Sequence, residues 1–413
     1  MTTRLTVERL DRHGDGVAGG VRVARALPGE VVEGEVSEGA LPDGRRASAR
    51  IARPRVLEPS DQRVRAPCPH YGACGACALM HASDGFVAAW KVDVVRRALA
   101  ARGLDAPVAG IATSPPASRR RATLSGRRLK RGVVVGFHGR GSDVVTAVSG
   151  CRVLLPSLVA ALPGCEALVA EAGTRRGALS ITLTDAPEGV DTAVFADRPL
   201  AAPSRARLAE IAREAGWARL AWDGEVVAQR APPAQRFGAA RLVPPPGAFL
   251  QATREGEAAL LAVLREGLAG ARRVADLFAG CGTFALPLAR DAEVHAVEAD
   301  EAMLAALAAG WRNAPGLKRA TTEARDLFRR PLTDLASFDA VVMDPPRAGA
   351  SAQAEALAAH GPERVASVSC DPATFARDAA TLVAGGYRLG PVYVVDQFRW
   401  SAHVELAAVL TRA

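Results

Sequence analysis

No long apolar run occurs in the 413 residues of this chain. Its first residues, MTTRLTVERLDRHGDG, lack the apolar core of a secretory signal, and no later run approaches the 18 or more apolar residues of a membrane helix. We therefore expect a soluble, cytoplasmic protein with no membrane partner. In a reducing cytoplasm the seven cysteines should not form disulfides, which favours metal binding or catalysis for them. Hydrophobic residues make up 49% of the chain, enough for two or three buried cores.

The net charge of +8 is unevenly distributed along the chain. Residues 1–150 contain 24 Lys and Arg against 14 Asp and Glu, whereas the remaining residues are close to neutral. The basic peak is RRRATLSGRRLKR, residues 119–131, with seven cations and no acid. Such a cluster favours a polyanion-binding surface, because bound nucleic acid releases counterions, although an amphipathic strand face would show the same pattern.

Three regions differ in their hydrophobic pattern. Short alternating runs separated by glycines fill residues 1–57 and predict a small β-barrel. Residues 58–240 contain a cysteine-rich segment, a predicted helix over 87–102 and β-rich stretches. The proline-rich RLVPPPGAF (241–249) opens the third region, 241–413. After it, short apolar runs alternate with helical segments, a pattern typical of a doubly wound α/β sheet. We take these three ranges as the predicted domains.

A glycine-rich turn follows the first strand of the α/β region, in VADLFAGCGTFALPLA (274–289). Gly280 and Gly282 allow a sharp bend and a close approach of the backbone to a ligand. Asp276, at the end of the strand, would repel a pyrophosphate but could hold a cationic amino-acid group. Glu298 ends the next strand, where a carboxylate can accept hydrogen bonds from two ribose hydroxyls. The pattern favours S-adenosylmethionine over a dinucleotide or an empty structural turn.

Two further apolar strands end in polar, proline-containing corners, in FDAVVMDPPRAGAS (338–351) and RVASVSCDPATF (364–375). Ligands of open parallel sheets bind outside the carboxyl ends of the strands, so Asp344 and Cys370 should reach the crevice of the glycine turn. The last two strands have a short connection and should be antiparallel. This arrangement places Glu405, near the start of the final strand, beside Cys370.

The position of Cys370 at a strand end indicates a nucleophile rather than a packed core cysteine. Methyl transfer to carbon 5 of a pyrimidine needs a thiolate that adds to carbon 6 and a base that then removes the carbon 5 proton, for which Glu405 is the candidate. An enzyme that methylates an amino group of adenine or guanine would give Cys370 and Glu405 no catalytic role. A non-enzymatic RNA-binding protein on an inactive methyltransferase fold would leave the whole constellation unused.

Three cysteines lie close together in CPHYGACGAC, with the spacing C-x5-C-x2-C. Packing explains such a cluster poorly, and spacing alone leaves zinc and an iron–sulfur cluster both open. The clustered thiols are Cys68, Cys74 and Cys77. For a fourth ligand we prefer Cys151, in VSGCRVL, over the alternatives Cys165, His70 and His81.

These motifs resemble those of the RNA uracil-C5 (5-methyluridine) methyltransferase family over nearly the full chain. The chain is most similar to bacterial members acting on large-subunit ribosomal RNA that carry an N-terminal TRAM domain and a four-iron cluster. The resemblance implies an OB-like TRAM barrel at 1–57, a β-rich cluster domain at 58–240 and a Rossmann-like class I S-adenosylmethionine-dependent methyltransferase domain at 241–413. By the same resemblance, SCDP contains the nucleophile Cys370 and HVE the general base Glu405.

The resemblance also assigns ligands. It implies a four-iron cluster on Cys68, Cys74, Cys77 and Cys151, with a structural or RNA-positioning role. We expect RNA as the partner, ribosomal rather than transfer RNA, and a monomer without an obligate protein partner. Asp326, in EARDLF, is either an adenine contact or a helix N-cap. The implied cofactor contacts are Gln251, Phe278, Thr283, Glu298, Asp326 and Asp344.

Overall fold

The computed structural model describes residues 2–37, 49–196 and 198–412. In the described residues up to Glu58, seven short strands form two small sheets, ordered β1-β5-β7 and β2-β3-β4-β6. Apolar side chains of these strands and of their connections, among them Val7, Val32 and Ile51, meet in one buried cluster. The strands are Thr2–Thr6 (β1), Arg9–Leu10 (β2), Gly16–Ala18 (β3), Val21–Val23 (β4), Val31–Glu35 (β5), Arg50–Ile51 (β6) and Arg55–Glu58 (β7).

The cysteine-rich segment is followed by helix α1 (Asp84–Ala100) and strand β8 (Val108–Thr113). The helix begins at an N-cap, Ser83, whose hydroxyl accepts a hydrogen bond from the Phe86 amide. One face of α1 buries Val95 and Leu99 in the core of the C-terminal sheet. The structure thus starts this helix a turn earlier than the predicted 87–102.

A second sheet forms the centre of the chain, with strand order β11-β10-β9-β12-β13-β14-β15. The helices of this region bury Leu168, Leu208 and Ile211 in the same cluster as the strand residues Leu124 and Ile181. The elements are Arg121–Arg128 (β9), Val133–His138 (β10), Val145–Ala147 (β11), Pro156–Ala160 (α2), Leu162–Ala172 (α3), Leu179–Thr184 (β12), Asp191–Phe195 (β13), Ala202–Glu214 (α4), Arg219–Trp222 (β14) and Glu225–Gln229 (β15).

A hairpin of Gln235–Phe237 (β16) and Ala240–Leu242 (β17) leads into the C-terminal sheet. Helices and strands then alternate, as the period of the apolar residues predicts. The elements are Arg254–Gly267 (α5), Arg273–Leu277 (β18), Ala285–Leu288 (α6), Glu293–Glu298 (β19), Glu301–Arg312 (α7), Ala320–Ala324 (β20), Ala340–Met343 (β21), Ser351–His360 (α8), Arg364–Ser369 (β22), Pro372–Ala384 (α9), Tyr387–Asp396 (β23) and Glu405–Arg412 (β24).

The strand order of this sheet is β20-β19-β18-β21-β22-β24-β23-β8. The five strands β18 to β22 are parallel, and β24 is antiparallel to both β22 and β23. The predicted antiparallel pairing of the last two strands is therefore confirmed. The strand order also confirms an α/β sheet whose order reverses beside β18, which opens a crevice at the carboxyl ends of the strands.

The domain boundary at 241 differs from the structure at two points. Strand β8, within the range predicted for the central domain, pairs in parallel with β23 and forms an edge of the C-terminal sheet. Residues 237–242 of the β16–β17 hairpin also pack into the core of the C-terminal sheet. Tertiary packing thus adds α1, β8 and this hairpin to the α/β unit. No helix in the described part of the chain is long and apolar enough to cross a membrane.

Candidate active site

One cavity of about 560 Å³ opens at the carboxyl ends of the parallel strands. Its lining combines the glycine-rich turn after β18, the corners after β21 and β22, and the first residue of β24. Every residue predicted as catalytic or cofactor-contacting lines this cavity. They are Gln251, Phe278, Thr283, Glu298, Asp326, Asp344, Cys370 and Glu405.

Cys370 occupies the corner between β22 and α9. The helix after it begins at Asp371, whose carboxylate accepts a hydrogen bond from the Ala373 amide, 2.9 Å away, and Pro372 takes the first helical position. These caps end the strand sharply and leave Cys370 partly buried at the cavity wall. Arg347, also at the wall, approaches the Asp371 carboxylate to 3.3 Å.

The electrostatic surroundings do not favour the thiolate in the protein alone. Burial, reinforced by the carboxyl groups of Glu405 and Asp344, raises the pKa of the Cys370 thiol to about 11. A free thiol has a pKa near 8.5, so the thiolate fraction at neutral pH falls by at least about tenfold. A ligand that adds positive charge to the cavity would lower this pKa.

Glu405 is the most buried of the predicted catalytic residues, with 4% of its surface exposed. Its carboxylate accepts a hydrogen bond from Gln397 Nε2. Burial raises the pKa of Glu405 well above its ordinary value, and Asp344 and Asp396 add to the increase while Lys91 opposes it. A buried carboxyl group with a raised pKa is suited to proton transfer.

Asp344 directly follows β21 and is held by Gln251, whose Nε2 donates to its Oδ2 at 3.1 Å. Burial raises the pKa of Asp344 to about 7, and the hydrogen bond from Gln251 opposes part of that increase. Gln251 itself is 2% exposed. The pair forms a polar edge of the cavity that a donor or acceptor on a ligand can contact.

The glycine-rich turn has the backbone conformation that its composition predicts. Gly280 and Gly282 both have positive φ, and a Cβ on Gly280 would point into open space. Phe278 also has a positive φ of 62°, an outlier for an aromatic residue, and its ring packs 5.5 Å from that of Phe328. Glu298 accepts a hydrogen bond from the Gly280 amide at 3.0 Å, which ties the turn to the end of β19.

Asp276 lies beneath the turn, with 1% of its surface exposed. Neither of its carboxylate oxygens makes a hydrogen bond of ordinary geometry with the described residues. Burial, together with Asp344, raises the pKa of Asp276 well above its ordinary value. A hydrogen bond from the Ala285 backbone opposes part of this increase, and Asp276 itself does not reach the lining of the cavity.

Asp326 combines features of both roles that its sequence context allows. Its side chain lines the cavity, and its Oδ1 also accepts a hydrogen bond of 3.0 Å from the Phe328 amide at the start of a single turn. No α-helix begins at this residue. The N-cap interpretation therefore applies to one turn only, and the other carboxylate oxygen approaches Arg329 to 3.4 Å.

A second cavity contains the cysteines of the C-x5-C-x2-C segment. Cys68, Cys74, Cys77 and Cys151 line it together with apolar side chains. Across residues 2–37, 49–196 and 198–412, however, no group of three or more His, Cys, Asp or Glu side chains converges tightly enough to hold a single metal ion. The structure therefore brings the four predicted cysteines to one cavity without forming a metal site there.

The alternatives for a fourth ligand are placed differently. Cys165, on the buried face of α3, packs in the core of the central sheet and does not line the cysteine cavity. His81 hydrogen-bonds through Nδ1 to the Tyr71 hydroxyl at 2.6 Å. His70 lines the cavity, but its Nε2 accepts a hydrogen bond from the Gly150 amide at 3.0 Å. Cys151 is the remaining candidate at the wall.

The first arginines of the basic segment do not form the predicted polyanion-binding surface. Arg120 is 2% exposed, forms an ion pair with Glu257 and donates a hydrogen bond of 3.0 Å to the Gln251 carbonyl. Arg121 donates 2.9 Å hydrogen bonds to two carbonyls, those of Gly247 and Ala248. Both arginines therefore hold the segment that carries Gln251. The exposed cations of this segment lie instead at the β9–β10 turn, at Arg128, Lys130 and Arg131.

The comparisons with known proteins agree with this geometry. The family model described as tRNA (uracil-5-)-methyltransferase matches residues 247–413. An uncharacterized RNA methyltransferase of Mesorhizobium japonicum is 41% identical, with 100% of this chain and 98% of that protein aligned. A 23S rRNA (uracil(1939)-C(5))-methyltransferase of Chromohalobacter salexigens is 34% identical over 99% of this chain and 89% of that protein. The chain belongs to the RNA uracil-C5 methyltransferase family.

Among solved structures, a tRNA (uracil-54, C5)-methyltransferase of Pyrococcus abyssi in complex with S-adenosyl-L-homocysteine superposes with a TM-score of 0.79. It covers 99% of both chains at 20% identity, and this likeness shows the shared fold. The expected family, the class I methyltransferase fold and the enzyme class are thereby confirmed. The protein is an S-adenosylmethionine-dependent RNA methyltransferase of the uracil-C5 type.

Several residues of this uracil-C5 methyltransferase that shape the site are not evident in the sequence. Gln397 hydrogen-bonds both Gln251 and Glu405, and Lys91 forms a buried ion pair with Asp396. The polar Asp-Gln pair that ends the apolar run YVVDQ is the same kind of signal as the corners at Asp344 and Cys370. Lys91, on an amphipathic helix, carries no such signal, because a helical lysine is normally a solvated residue.

Proposed function

We propose that the enzyme methylates carbon 5 of a uridine through a covalent bond between Cys370 and carbon 6 of the base. The observation that carries the proposal is the placement of a thiol, Cys370, and a buried carboxyl group, Glu405, at one cavity with a glycine-rich turn. Amino-group methylation has no use for either Cys370 or Glu405. A strand-end thiol and a base in hydrogen-bonding contact with an orienting amide match the needs of nucleophilic catalysis.

The roles of the chain's own groups follow from the electron balance. The Cys370 thiolate forms an S–C6 bond, and the C5=C6 electron pair becomes available at carbon 5. Bound S-adenosylmethionine supplies the electrophilic methyl group that carbon 5 takes. The Glu405 carboxylate then removes the carbon 5 proton, the C5=C6 bond re-forms, and the S–C6 bond breaks with the electron pair returning to sulfur.

The cofactor contacts are proposed from the cavity lining. Glu298 lies at the end of β19 where it can accept hydrogen bonds from ribose hydroxyls, and Asp326 lies beside the phenylalanines Phe278 and Phe328 where an adenine ring can pack. Thr283 follows the glycine turn. Gln251 and Asp344 form the polar edge nearest to Cys370 and Glu405, so they would contact both cofactor and target base.

We further propose that the substrate is large-subunit ribosomal RNA, with transfer RNA as the second candidate. The relative from Chromohalobacter salexigens carries a ribosomal specificity in its name and aligns over almost the entire chain, including the N-terminal region. The two small sheets of residues 2–58 support an OB-like TRAM barrel that holds RNA. The target base must leave its stack to enter the cavity beside Cys370.

The four cysteines are proposed as ligands of a four-iron cluster. The donor set fits the group, because thiolates are the ligands such clusters require and the four cysteines share one cavity. Arg119 lines the same cavity, where its charge would offset that of the thiolates. The methyl transfer as written needs no redox step, so we assign the cluster a structural role.

Three measurements test the proposed reaction. Total RNA from cells that lack the gene should gain 5-methyluridine at one position when incubated with enzyme and methyl donor, and mapping that position identifies the RNA. Glu405→Gln should accumulate methylated RNA bound covalently to protein, visible on denaturing gels, with the adduct on Cys370. Cys370→Ala should retain cofactor binding and lose methylation. Turnover by Cys370→Ala, or an adduct on Cys281, would refute the assignment.

A further inference from the structure

The side chain of Gln397 connects the cofactor edge of the cavity to the proposed base. It follows the last residue of β23 and is 1% exposed. Its Nε2 donates to Gln251 Oε1 at 2.5 Å and to Glu405 Oε2. Because Gln251 donates in turn to Asp344, four side chains form one continuous chain of hydrogen bonds from Asp344 to Glu405.

The orientation of the Gln397 amide is fixed by its backbone partner. The Thr253 amide donates a hydrogen bond of 3.3 Å to Gln397 Oε1, and a backbone N–H can only be satisfied by an acceptor. The Nε2 group must therefore point toward Gln251 and Glu405. Thr253 itself is fixed as the N-cap of α5, and its hydroxyl is 2.7 Å from that of Ser114. A single rotamer of Gln397 thus satisfies all three of its partners.

The charged groups around Glu405 give this donor particular importance. Asp344 on the β21 corner and Asp396 at the end of β23 both disfavour the Glu405 carboxylate, and the thiol of Cys370 supplies no positive charge. Lys91 on α1 favours the carboxylate, but its Nζ is already bound to Asp396 at 2.5 Å. The described residues place one neutral side-chain donor directly on Glu405, and it is Gln397.

We propose that Gln397 is a positioning residue that fixes Glu405 for removal of the carbon 5 proton and couples it to Gln251. The proposal rests on the covalent reaction described above. A donor on a carboxylate stabilises its ionised form and fixes its rotamer. Loss of that donor therefore affects the step that releases methylated RNA, and leaves the thiol addition and methyl transfer that precede it.

The test compares Gln397→Met, which keeps the volume and removes the hydrogen bonds, with wild type at a single turnover. The reaction contains labelled methyl donor and total RNA from cells lacking the gene. Denaturing gels then separate methylated RNA that is covalently bound to protein from methylated RNA that has been released. We expect adduct formation within about twofold of wild type and release slowed at least about tenfold. In the profile of release rate against pH, the acidic limb should move to higher pH by about one unit. The reason is that the Glu405 carboxylate no longer has the donor that stabilises its ionised form.

Gln353→Met is the matched control. Gln353 is a fully satisfied buried glutamine of the same unit, 1% exposed, with hydrogen bonds to the backbone amide and carbonyl of Leu332, and it does not line the cavity. Gln353→Met should lose thermal stability. It should not accumulate the covalent adduct, and the pH dependence of its release rate should match that of wild type. If Gln397→Met does not fold, Gln397→Glu keeps the shape and, by adding an acid beside Glu405, should move the acidic limb upward further.

An unchanged pH limb and normal release in a folded Gln397 variant would overturn the proposal. So would a pH shift of equal size in Gln353→Met, since the shift would then report general destabilisation. If Glu405→Gln traps no adduct, the proposed role of Glu405 fails by that separate result. If Glu405 is not the base, its ionisation does not control release. Gln397→Met should then leave the pH dependence of the release rate unchanged.

Discussion

Cys370 and Glu405 lie opposite each other at the end of the antiparallel ladder between β22 and β24, each one residue beyond the Ser369–Leu406 pair. The register brings a thiol from one strand end and a carboxyl group from the next strand start to the same cavity wall. Because both positions are set by backbone pairing, neither depends on a mobile loop. The two groups proposed to react are therefore held in place by the sheet itself.

The first prediction concerns the ionisation of Cys370. With the pKa of the thiol raised to about 11, its alkylation by iodoacetamide in the cofactor-free enzyme should increase about tenfold per pH unit between about pH 7 and 10. Peptide mass spectrometry measures the rate at this cysteine, with Cys370→Ser as the blank. Addition of S-adenosylmethionine, whose sulfonium is cationic, should lower the midpoint if it does not block access. A plateau already reached at neutral pH in the free enzyme would show that another group stabilises the thiolate.

Lys91→Met should destabilise the protein strongly. The Lys91–Asp396 pair is almost completely buried, and removal of one partner leaves an uncompensated charge, at a cost of about 3–5 kcal/mol. Urea or thermal unfolding of the full chain measures the loss. Arg97→Met, which breaks the exposed pair of Asp93 and Arg97 on the same helix, is the control and should cost less than about 1 kcal/mol. Equal losses in the two variants would contradict the prediction.

The cysteine cavity predicts the metal content of the purified protein. Protein prepared without oxygen should be brown and contain about four iron atoms per chain. Cys151→Ala should lose most of this iron, whereas Cys165→Ala should retain it, because Cys165 is packed in the core away from the cavity. Elemental analysis and the visible absorption spectrum provide the readout. Stoichiometric zinc without iron, or loss of iron in Cys165→Ala only, would refute the assignment.

The salt dependence of RNA binding should distinguish the two halves of the basic segment. Replacing Arg128, Lys130 and Arg131 by alanine should make the log–log slope shallower by roughly 0.7–0.9 for each RNA phosphate that the variant no longer neutralises. Arg120→Met should leave the slope unchanged and lower the melting temperature, because Arg120 is buried against Glu257. Filter binding across a range of salt concentrations measures the slope, and thermal unfolding measures the melting temperature. A shallower slope in the Arg120 variant alone would reverse the assignment.

The local features of the site follow from the order of the amino acids alone. Asp344 and Cys370 follow apolar runs and precede proline-containing corners, so they must stand at strand ends, and Gly280 and Gly282 must form a turn between a strand and a helix. The short link before Glu405 also required an antiparallel last strand, as β24 shows. These features depend on periodicity and turn chemistry, which act over a few residues.

Features that depend on distant partners emerge only in the folded chain. Nothing local distinguishes Arg120, buried against Glu257, from the exposed Arg128 in the same segment. Strand β8 joins the C-terminal sheet because the edge of β23 offers it backbone hydrogen bonds, although a proline-rich segment separates the two regions in the chain. Burial and pairing depend on which surfaces meet after folding, and a single sequence does not specify those contacts residue by residue. The contacts of Gln397 also depend on folding, because its three partners come from the segment before α5 and the start of β24.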